Sequence, residues 1–265
     1  MDAARVARAV SPPLAAFVVL VASWEALARG LHVPEYLLPP PSAIVHAAGT
    51  ELPSLLSAAF VTARASLYGF GLSAVLGTLA AIVLASSRPM ERALYPYTVF
   101  LQTVPIIAIA PLLVLWFGAG MRAVTVSAFI VSVFPVIANG LSGIRSADPA
   151  LRDLFHLYGA SRLATLTKLE LPSALPSLVT GLRVAAGLAV IGAIVGEFVA
   201  GFSESGAGLG ILILSSYRQL RTDLLFAAVF FASSLGLLLF GMVNLLGYLL
   251  LRRWHPSFAA VSRAE

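Results

Sequence analysis

The sequence predicts an all-α, polytopic membrane protein with about six transmembrane helices. Hydrophobic residues make up 59% of the 265 residues and charged residues only 11%, whereas an ordinary soluble domain has roughly 45–50% and 25%. One soluble core of this size cannot bury so much apolar surface, but a lipid-facing exterior removes that difficulty. Several charge-free stretches are also long enough to cross a bilayer.

Four stretches lack Asp, Glu, Lys and Arg and exceed the roughly 20 residues that cross the hydrocarbon layer. They are residues 65–87, 93–121, 123–144 and 224–251. Two further apolar stretches carry one charge each, Glu25 in residues 9–28 and Arg183 in residues 175–196. Because a charge inside the membrane is costly, we expect Arg183 to lie near an interface or to face protein, in the simplest case as a snorkelling side chain near a helix end.

The first stretch has two interpretations. Arg5 and Arg8 precede its apolar core, and Ala26–Ala28 resembles a small-residue cleavage site, as in a secretory signal peptide. Trp24 and Glu25 are unusual immediately before such a site. They favour a retained helix, which gives six spans and places both termini on one side.

Basic residues predict which side this is, because short loops rich in Lys and Arg stay in the cytoplasm. Eleven fall on the side of the termini: Arg5, Arg8, Arg88, Arg92, Arg145, Arg152, Arg162, Lys168, Arg252, Arg253 and Arg263. Five fall opposite: Arg29, Arg64, Arg122, Arg218 and Arg221. The sequence therefore predicts cytoplasmic termini, a cytoplasmic loop at residues 145–172 and external loops at residues 29–60 and 197–223.

The loop at residues 145–172 has an amphipathic composition unlike that of the spans. Leu151, Leu154, Phe155 and Tyr158 follow helical spacing and predict one apolar stripe on a short helix. Asp148-Pro149 predicts its start and Gly159 its end, and a second short piece is expected from Ser161 to Leu171, before Pro172 redirects the chain. Such a helix lies on lipid or docks in a groove of a partner.

The spacing of this loop resembles that of the permeases of bacterial ABC importers, which carry Glu-Ala-Ala, three residues, Gly, nine residues and Ile-x-Leu-Pro. Here the pattern is Asp153-Leu154-Phe155, three residues, Gly159, nine residues and Leu169-Glu170-Leu171-Pro172. Asp replaces Glu, and bulky Leu and Phe replace two alanines. Residues 101–118 are similar to the subgroup of sulfonate, taurine, nitrate and pyrimidine-precursor permeases, and residues 206–210 and 253–257 add to the resemblance.

The resemblance implies a type I ABC importer permease fold, with residues 1–265 as one transmembrane domain in the cell inner membrane. It also implies partners: two copies of an ABC ATPase, a periplasmic or lipid-anchored binding protein and a second permease copy, in a homodimer. The substrate is then a small solute such as a sulfonate, nitrate or a pyrimidine or thiamine precursor. The residues that couple to the ATPase are Leu151, Arg152, Asp153, Leu154, Phe155, Tyr158, Gly159, Ala160, Ser161, Leu171 and Pro172.

The sequence lacks the residue patterns that several other functions require. No Gly-x-x-x-x-Gly-Lys-Ser/Thr loop is present, so ATP hydrolysis is expected on a separate subunit. The sequence has no cysteine, and its four histidines lie outside the spans, so we expect no catalytic centre, metal or cofactor. It also lacks the basic runs interleaved with aromatic residues that are typical of nucleic-acid binding, so we expect no nucleic-acid partner. A secondary transporter or channel is the alternative function, although it usually has more spans or ion-coupling carboxylates within them.

Polar residues in or beside the spans are the candidates for the translocation pathway. They are Gln102, Thr103, Asn139, Ser142 and Glu197. A hydrogen bond within or between helices is the other role for each of them. The Gly192–Gly196 pair predicts a close helix approach, either within the chain or between two copies.

Overall fold

The computed structural model describes residues 3–200 and 206–251, with side chains from Ser11 onward. Helices joined by short turns make up these ranges, which confirms the all-α prediction. The helices are α1 (Ala3–Gly30), α2 (Pro41–Thr50), α3 (Leu52–Ala85), α4 (Arg88–Thr103), α5 (Ile106–Phe117), α6 (Met121–Arg145), α7 (Pro149–Leu157), α8 (Arg162–Thr165), α9 (Leu171–Ala200), α10 (Leu209–Arg218) and α11 (Thr222–Leu251). Residues 253–257 lie outside the described part.

In the described part of the chain, five helices are long and apolar enough to span a membrane, or six if the bent pair α4 and α5 counts as one span. This agrees with the predicted number. One end of the bundle carries α7 and the other carries α10, and we call them the α7 end and the α10 end. Glu91 of α4 pairs with Arg145 at the α7 end, and Leu113 of α5 packs against Val124 towards the α10 end, so α4 and α5 together cross the bundle.

The prediction of one uninterrupted helix at residues 93–121 is wrong. The chain bends by 98° between α4 and α5. Pro105 has no amide hydrogen to donate and forces the preceding residue out of helical geometry, so Val104 is extended. Gly118 and Gly120 have φ angles of 80° and 99° and end α5 before residue 121.

The prediction of a loop from residue 29 to residue 60 is also wrong. This range contains α2 and the first two turns of α3, which passes through Arg64 without a break. Arg64 ends the charge-free stretch, but its guanidinium lies 5.8 Å from the centre of the Phe60 ring, a contact that favours a cation. Residues 197–223, likewise predicted as a loop, include the last turn of α9 and all of α10.

Pro172 does not redirect the chain. Residues Arg162–Ala200 form one continuous 39-residue helix that comprises α8, a π-helical turn at Leu166–Glu170, and α9. Pro172 is the second residue of α9. The prediction of a separate piece ending at Leu171 is therefore wrong, because the wider π turn carries the helix past the proline.

The core consists of α3, α6 and α9, which approach closely through small residues. Ser73 and Ser132, both fully buried, join α3 to α6 through hydroxyl oxygens 2.6 Å apart. A Cβ atom on Gly192 would lie 2.8 Å from Cα of Ala128, and one on Gly196 would lie 2.9 Å from Cβ of Ser127. The glycine pair therefore makes its close approach within the chain, against α6.

We expect Gly192→Ala to destabilise the protein. The added methyl group would meet the backbone of Ala128, which cannot move without displacing α6, and such overpacking costs about 1–3 kcal/mol. Gly187→Ala on the same helix is the matched control, because no atom lies within 4 Å of its Cβ position. Thermal unfolding of the purified variants checks this, and equal melting temperatures for the two variants would contradict it.

Candidate functional site

The short helix α7 has well-defined ends. The Asp148 carboxylate accepts a hydrogen bond of 2.8 Å from the amide of Ala150, and Pro149 occupies the first helical position. At the other end Gly159 has a φ of 67°, and the amide of Ala160 donates to the carbonyl of Phe155 at 2.9 Å. This is the hydrogen-bond pattern of a glycine-terminated helix, so both predicted ends of α7 are confirmed.

Arg152 connects α7 to the bundle. Its Nε atom lies 3.1 Å from a carboxylate oxygen of Glu170, and its Nη2 atom donates to the carbonyl of Ile144 at 2.6 Å. Ile144 is in the last turn of α6, where free carbonyl oxygens favour a positive charge. Glu170 is 8% exposed and stands in the π-helical turn before α9. One side chain thus joins α7 to the ends of two core helices.

Two other arginines join neighbouring helices at the same end. Arg145 of α6 forms an ion pair of 2.5 Å with Glu91 of α4. Arg162, the first residue of α8, donates a hydrogen bond to the carbonyl of Ser86, which follows α3. The side chain of Ser161 caps α8 by accepting from the amide of Ala164. Arg162 therefore fixes the segment after α7 to the bundle at the start of α8.

The outer face of α7 and the following turn carry exposed apolar side chains. Leu151 and Leu154 are about half exposed, and Tyr158 is 84% exposed, as the predicted stripe requires. Phe155 lies partly buried at the edge of this stripe. The sequence analysis missed Leu157, which is also 84% exposed and lies one turn after Leu154. We call Leu151, Leu154, Leu157 and Tyr158 the α7 face.

The polar pathway candidates do not come together at one place. Gln102 and Thr103 are exposed in the last turn of α4, immediately before the bend, and Thr103 donates to the carbonyl of Phe100. Asn139 of α6 is partly buried and donates to the carbonyl of Pro135 on its own helix at 2.8 Å. Ser142 is exposed one turn further on. For Thr103 and Asn139 the expected local hydrogen bonds are confirmed.

Glu197 is 2% exposed and stands at the centre of a buried network at the α10 end. Its carboxylate accepts from the amide of Gly210 at 2.7 Å and from the hydroxyl of Thr62 at 2.8 Å. The Thr62 oxygen in turn accepts from the amide of Leu209 at 2.8 Å. Two amide groups that α10 cannot satisfy internally therefore bond to α3 and α9.

Glycine is required on both sides of this network. A Cβ atom on Gly208 would lie 2.1 Å from a carboxylate oxygen of Glu197, and one on Gly210 would lie 2.6 Å from the carbonyl of Ile194. The glycines at residues 206–210 thus let the start of α10 approach the buried carboxylate. The sequence analysis noted these glycines and Glu197 separately, and no local signal links them to Thr62.

Among the residues that the structure describes, no group of three or more His, Asp or Glu side chains could hold a metal ion. The geometry instead provides two features. One is an apolar helix face fixed to the bundle at the α7 end, and the other is a buried carboxylate that positions α10.

Comparisons with known proteins agree on the family. The model of the family described as binding-protein-dependent transport system inner membrane component matches residues 73–255. The formylaminopyrimidine transport permease protein ThiX of Halalkalibacterium halodurans is 36% identical over 247 residues, which cover 90% of this chain and 94% of ThiX. The riboflavin transport system permease protein RibX of Chloroflexus aurantiacus is 34% identical, with 91% and 88% covered.

A solved structure of the MetNI methionine ABC transporter contains a chain of similar fold. The TM-score is 0.57 and the sequence identity 17%, and the match covers 72% of this chain and 94% of the other. At this identity the similarity concerns the fold, which is that of an ABC importer permease.

Proposed function

Because this chain belongs to the family of binding-protein-dependent transport system inner membrane components, we propose that it couples solute passage to a separate ATPase through α7. The chain is a permease subunit of an ABC importer and spans the membrane several times. The observation that carries the coupling proposal is the α7 face. Its four large side chains are exposed on a helix that is itself fixed to the bundle.

An exposed apolar helix face of this kind fits a groove on a partner protein. Of the two expected occupants, lipid and a partner, the second is favoured by the charges around α7. Arg152 and Glu170 hold the helix onto the ends of α6 and α9, which would not be needed to lay an amphipathic helix on a bilayer. A force on α7 then acts directly on two core helices.

The predicted coupling residues divide into four roles in this proposal. Leu151, Leu154, Phe155 and Tyr158, with Asp153 beside them, contact the ATPase. Arg152 transmits the force, and Gly159, Ala160 and Ser161 form the turn that leads from α7 to α8. Leu171 and Pro172 begin α9, which receives the movement.

We propose that the translocation pathway passes both the bend between α4 and α5 and the exposed side of the last two turns of α6. Gln102, Thr103 and Ser142 are exposed polar residues of membrane helices, and Asn139 lies one turn from Ser142. Such groups are costly against lipid, so a water-filled pathway shared with a second copy suits them better. Glu197 contributes by holding α10, which lines a cavity of about 320 Å³ with it.

The remaining assignments follow from the family and the relatives. We propose a homodimer in the inner membrane, two ATPase copies and a separate binding protein that selects the solute. The substrate is a small solute such as a sulfonate, nitrate or a pyrimidine or thiamine precursor, and the similarity to ThiX favours the pyrimidine class. The chain itself has no enzymatic role, and the α7 end and both termini face the cytoplasm.

Reconstitution tests the function directly. Vesicles containing the chain, the ATPase and the binding protein should accumulate solute only with ATP inside the compartment that the α7 end faces. Solute movement by the chain alone would favour the alternative, a secondary transporter or channel. Orientation can be tested separately because the chain has no cysteine. Asp153→Cys should react with an impermeant thiol reagent only from the cytoplasmic side, and Glu35→Cys, at the opposite end, only from outside.

We expect Arg152→Gln to uncouple the transporter. The α7 face remains intact, so the ATPase still binds and hydrolyses ATP, but the connection to α6 and α9 is lost. ATP hydrolysis by the assembled transporter should therefore continue while uptake falls at least about tenfold, since charged hydrogen bonds of this kind contribute about 1.5–3 kcal/mol.

Two variants control for folding. Arg152→Gln alone leaves the buried Glu170 carboxylate without its partner. The double variant Arg152→Gln/Glu170→Gln removes that charge as well and should still be uncoupled. Arg92→Gln removes an exposed positive charge at the same end and should leave uptake unchanged. If both Arg152 variants transported as much solute per ATP hydrolysed as the wild type, Arg152 would not transmit the movement.

A further inference from the structure

Arg183 is a charged residue within a membrane-spanning helix, and no acceptor for it is found among residues 11–200 and 206–251. It lies in the middle of the continuous helix Arg162–Ala200, so the expectation that it stands near a helix end is wrong. Its side chain is partly buried, and its Nε atom is fully buried without a hydrogen-bond partner. Among the described residues no carboxylate forms an ion pair with it. A partly buried guanidinium is stabilised by an anion, and the described residues supply none.

An apolar groove begins one helical turn from Arg183, between α9 and α11. This open groove has a volume of about 740 Å³ and its lining is almost entirely apolar. Gly187, Ile191 and Phe198 of α9 and Gly236, Leu237 and Phe240 of α11 line it. From Gly187 to Phe198 the groove follows eleven residues of helix, or about 16 Å, which is close to the thickness of one leaflet of hydrocarbon.

The guanidinium lies on the side of the groove nearer to the α7 end. Side chains of a helix lean towards its N-terminus, and that of α9 is at the α7 end. A Nη atom of Arg183 lies 3.6 Å from the Cβ position of Gly247, one turn before α11 reaches Leu251. Arg252 and Arg253 follow in the sequence, which is the composition expected at a membrane surface. A phosphate at the membrane surface is therefore within reach of Arg183.

We propose that Arg183 and this groove bind one anionic phospholipid from the leaflet at the α7 end. The phosphate contacts the guanidinium, and one acyl chain occupies the groove between α9 and α11. Charge complementarity and the length of the groove together select this occupant. A free oxyanion would leave the apolar groove empty, and an uncharged lipid would leave the guanidinium without an anion.

The test is lipid binding by the purified full-length chain, measured by native mass spectrometry. The chain is titrated with dioleoylphosphatidylglycerol and, in a parallel arm, with glycerol 3-phosphate, which offers the phosphate without acyl chains. We expect one phosphatidylglycerol per chain to bind at least about tenfold more tightly to the wild type than to Arg183→Gln, as loss of a charged hydrogen bond implies. Arg183→Lys should bind with intermediate affinity.

Variants of the groove separate its role from that of the charge. Gly187→Leu fills the groove, where no atom lies within 4 Å of the Cβ position, and should weaken lipid binding as much as Arg183→Gln does. Gly71→Leu on α3 and Arg122→Gln at the α10 end are the matched controls and should bind as the wild type does.

Three results would overturn the proposal. The first is equal lipid binding by the wild type and Arg183→Gln. The second is binding of glycerol 3-phosphate as tight as that of the lipid, which would make the site one for soluble oxyanions. The third is that Arg183→Gln changes the oligomeric state of the protein but binds as much lipid as the wild type, which would place the acceptor of Arg183 on a second copy.

Discussion

Tyr158→Ala is expected to weaken binding of the ATPase to the permease by about 30-fold, the effect typical of a tyrosine at the centre of an interface. Tyr158 is 84% exposed at the end of α7 and makes little contact with its own chain. The substitution therefore removes a contact surface and leaves the fold unchanged. Co-purification of the ATPase, and its affinity for the reconstituted permease, measure the effect.

This outcome differs from that of Arg152→Gln, which retains ATPase binding and loses uptake. Tyr217→Ala is the matched control, since this tyrosine is 66% exposed on α10 at the opposite end and should not affect ATPase binding. Normal ATPase affinity of Tyr158→Ala would indicate that the α7 face lies against lipid. Leu157→Ser checks the result independently, because the sequence pattern alone does not include Leu157.

Glu197→Ala should lower the stability of the protein and abolish uptake. Removing the carboxylate leaves the amide of Gly210 and the hydroxyl of Thr62 without their acceptor in a buried position, which costs about 1–3 kcal/mol for each group. We expect the apparent melting temperature to fall by about 5 °C or more. Helix α10 loses its attachment to α9, so uptake is lost even below the melting temperature.

Glu35→Ala, which removes an exposed carboxylate, serves as the control and should melt as the wild type does. Glu197→Gln keeps an oxygen acceptor for Gly210 and should recover part of the stability. If Glu197→Ala melted at the wild-type temperature, the network would not position α10. If it were destabilised yet transported normally below its melting temperature, α10 would have no part in the pathway.

Local signals in the sequence predicted α7 well. Asp148, Pro149 and Gly159 act on the backbone within a few residues of themselves, so the ends of the helix can be found without knowledge of the fold. The apolar stripe followed from helical spacing in the same way. Leu157 was missed because it falls outside the i, i+3, i+4, i+7 pattern that starts at Leu151. Its exposure depends on which side of α7 packs against the bundle.

Charge-free length was a less reliable guide to the spans. It joined α4 and α5 into one helix because apolar composition continues across the bend at Pro105. It also began α3 too late, because Arg64 can remain in a helix when an aromatic ring is nearby. Hydropathy measures the cost of transfer to lipid and contains no information on backbone direction.

The side-chain pairs that hold the candidate site together could not be predicted from the sequence. Arg152 and Glu170 are 18 positions apart and meet only because the turn after α7 folds back, and Glu170 stands at a variable position of the recognised spacing. Thr62 and Glu197 are separated by 135 positions. Side-chain pairs at such distances depend on the packing of α3 against α9, which no local pattern specifies.

The continuous helix from Arg162 to Ala200 connects the α7 end to the α10 end. Glu170 and Glu197 are 27 residues apart, so about 40 Å of stiff rod separates the ion pair with Arg152 from the cap of α10. A rotation of about 5° about the first point displaces the second by about 3.5 Å, which exceeds the tolerance of a hydrogen bond. In the proposed coupling mechanism, a small movement of α7 would therefore be enough to break or form the hydrogen bonds that hold α10.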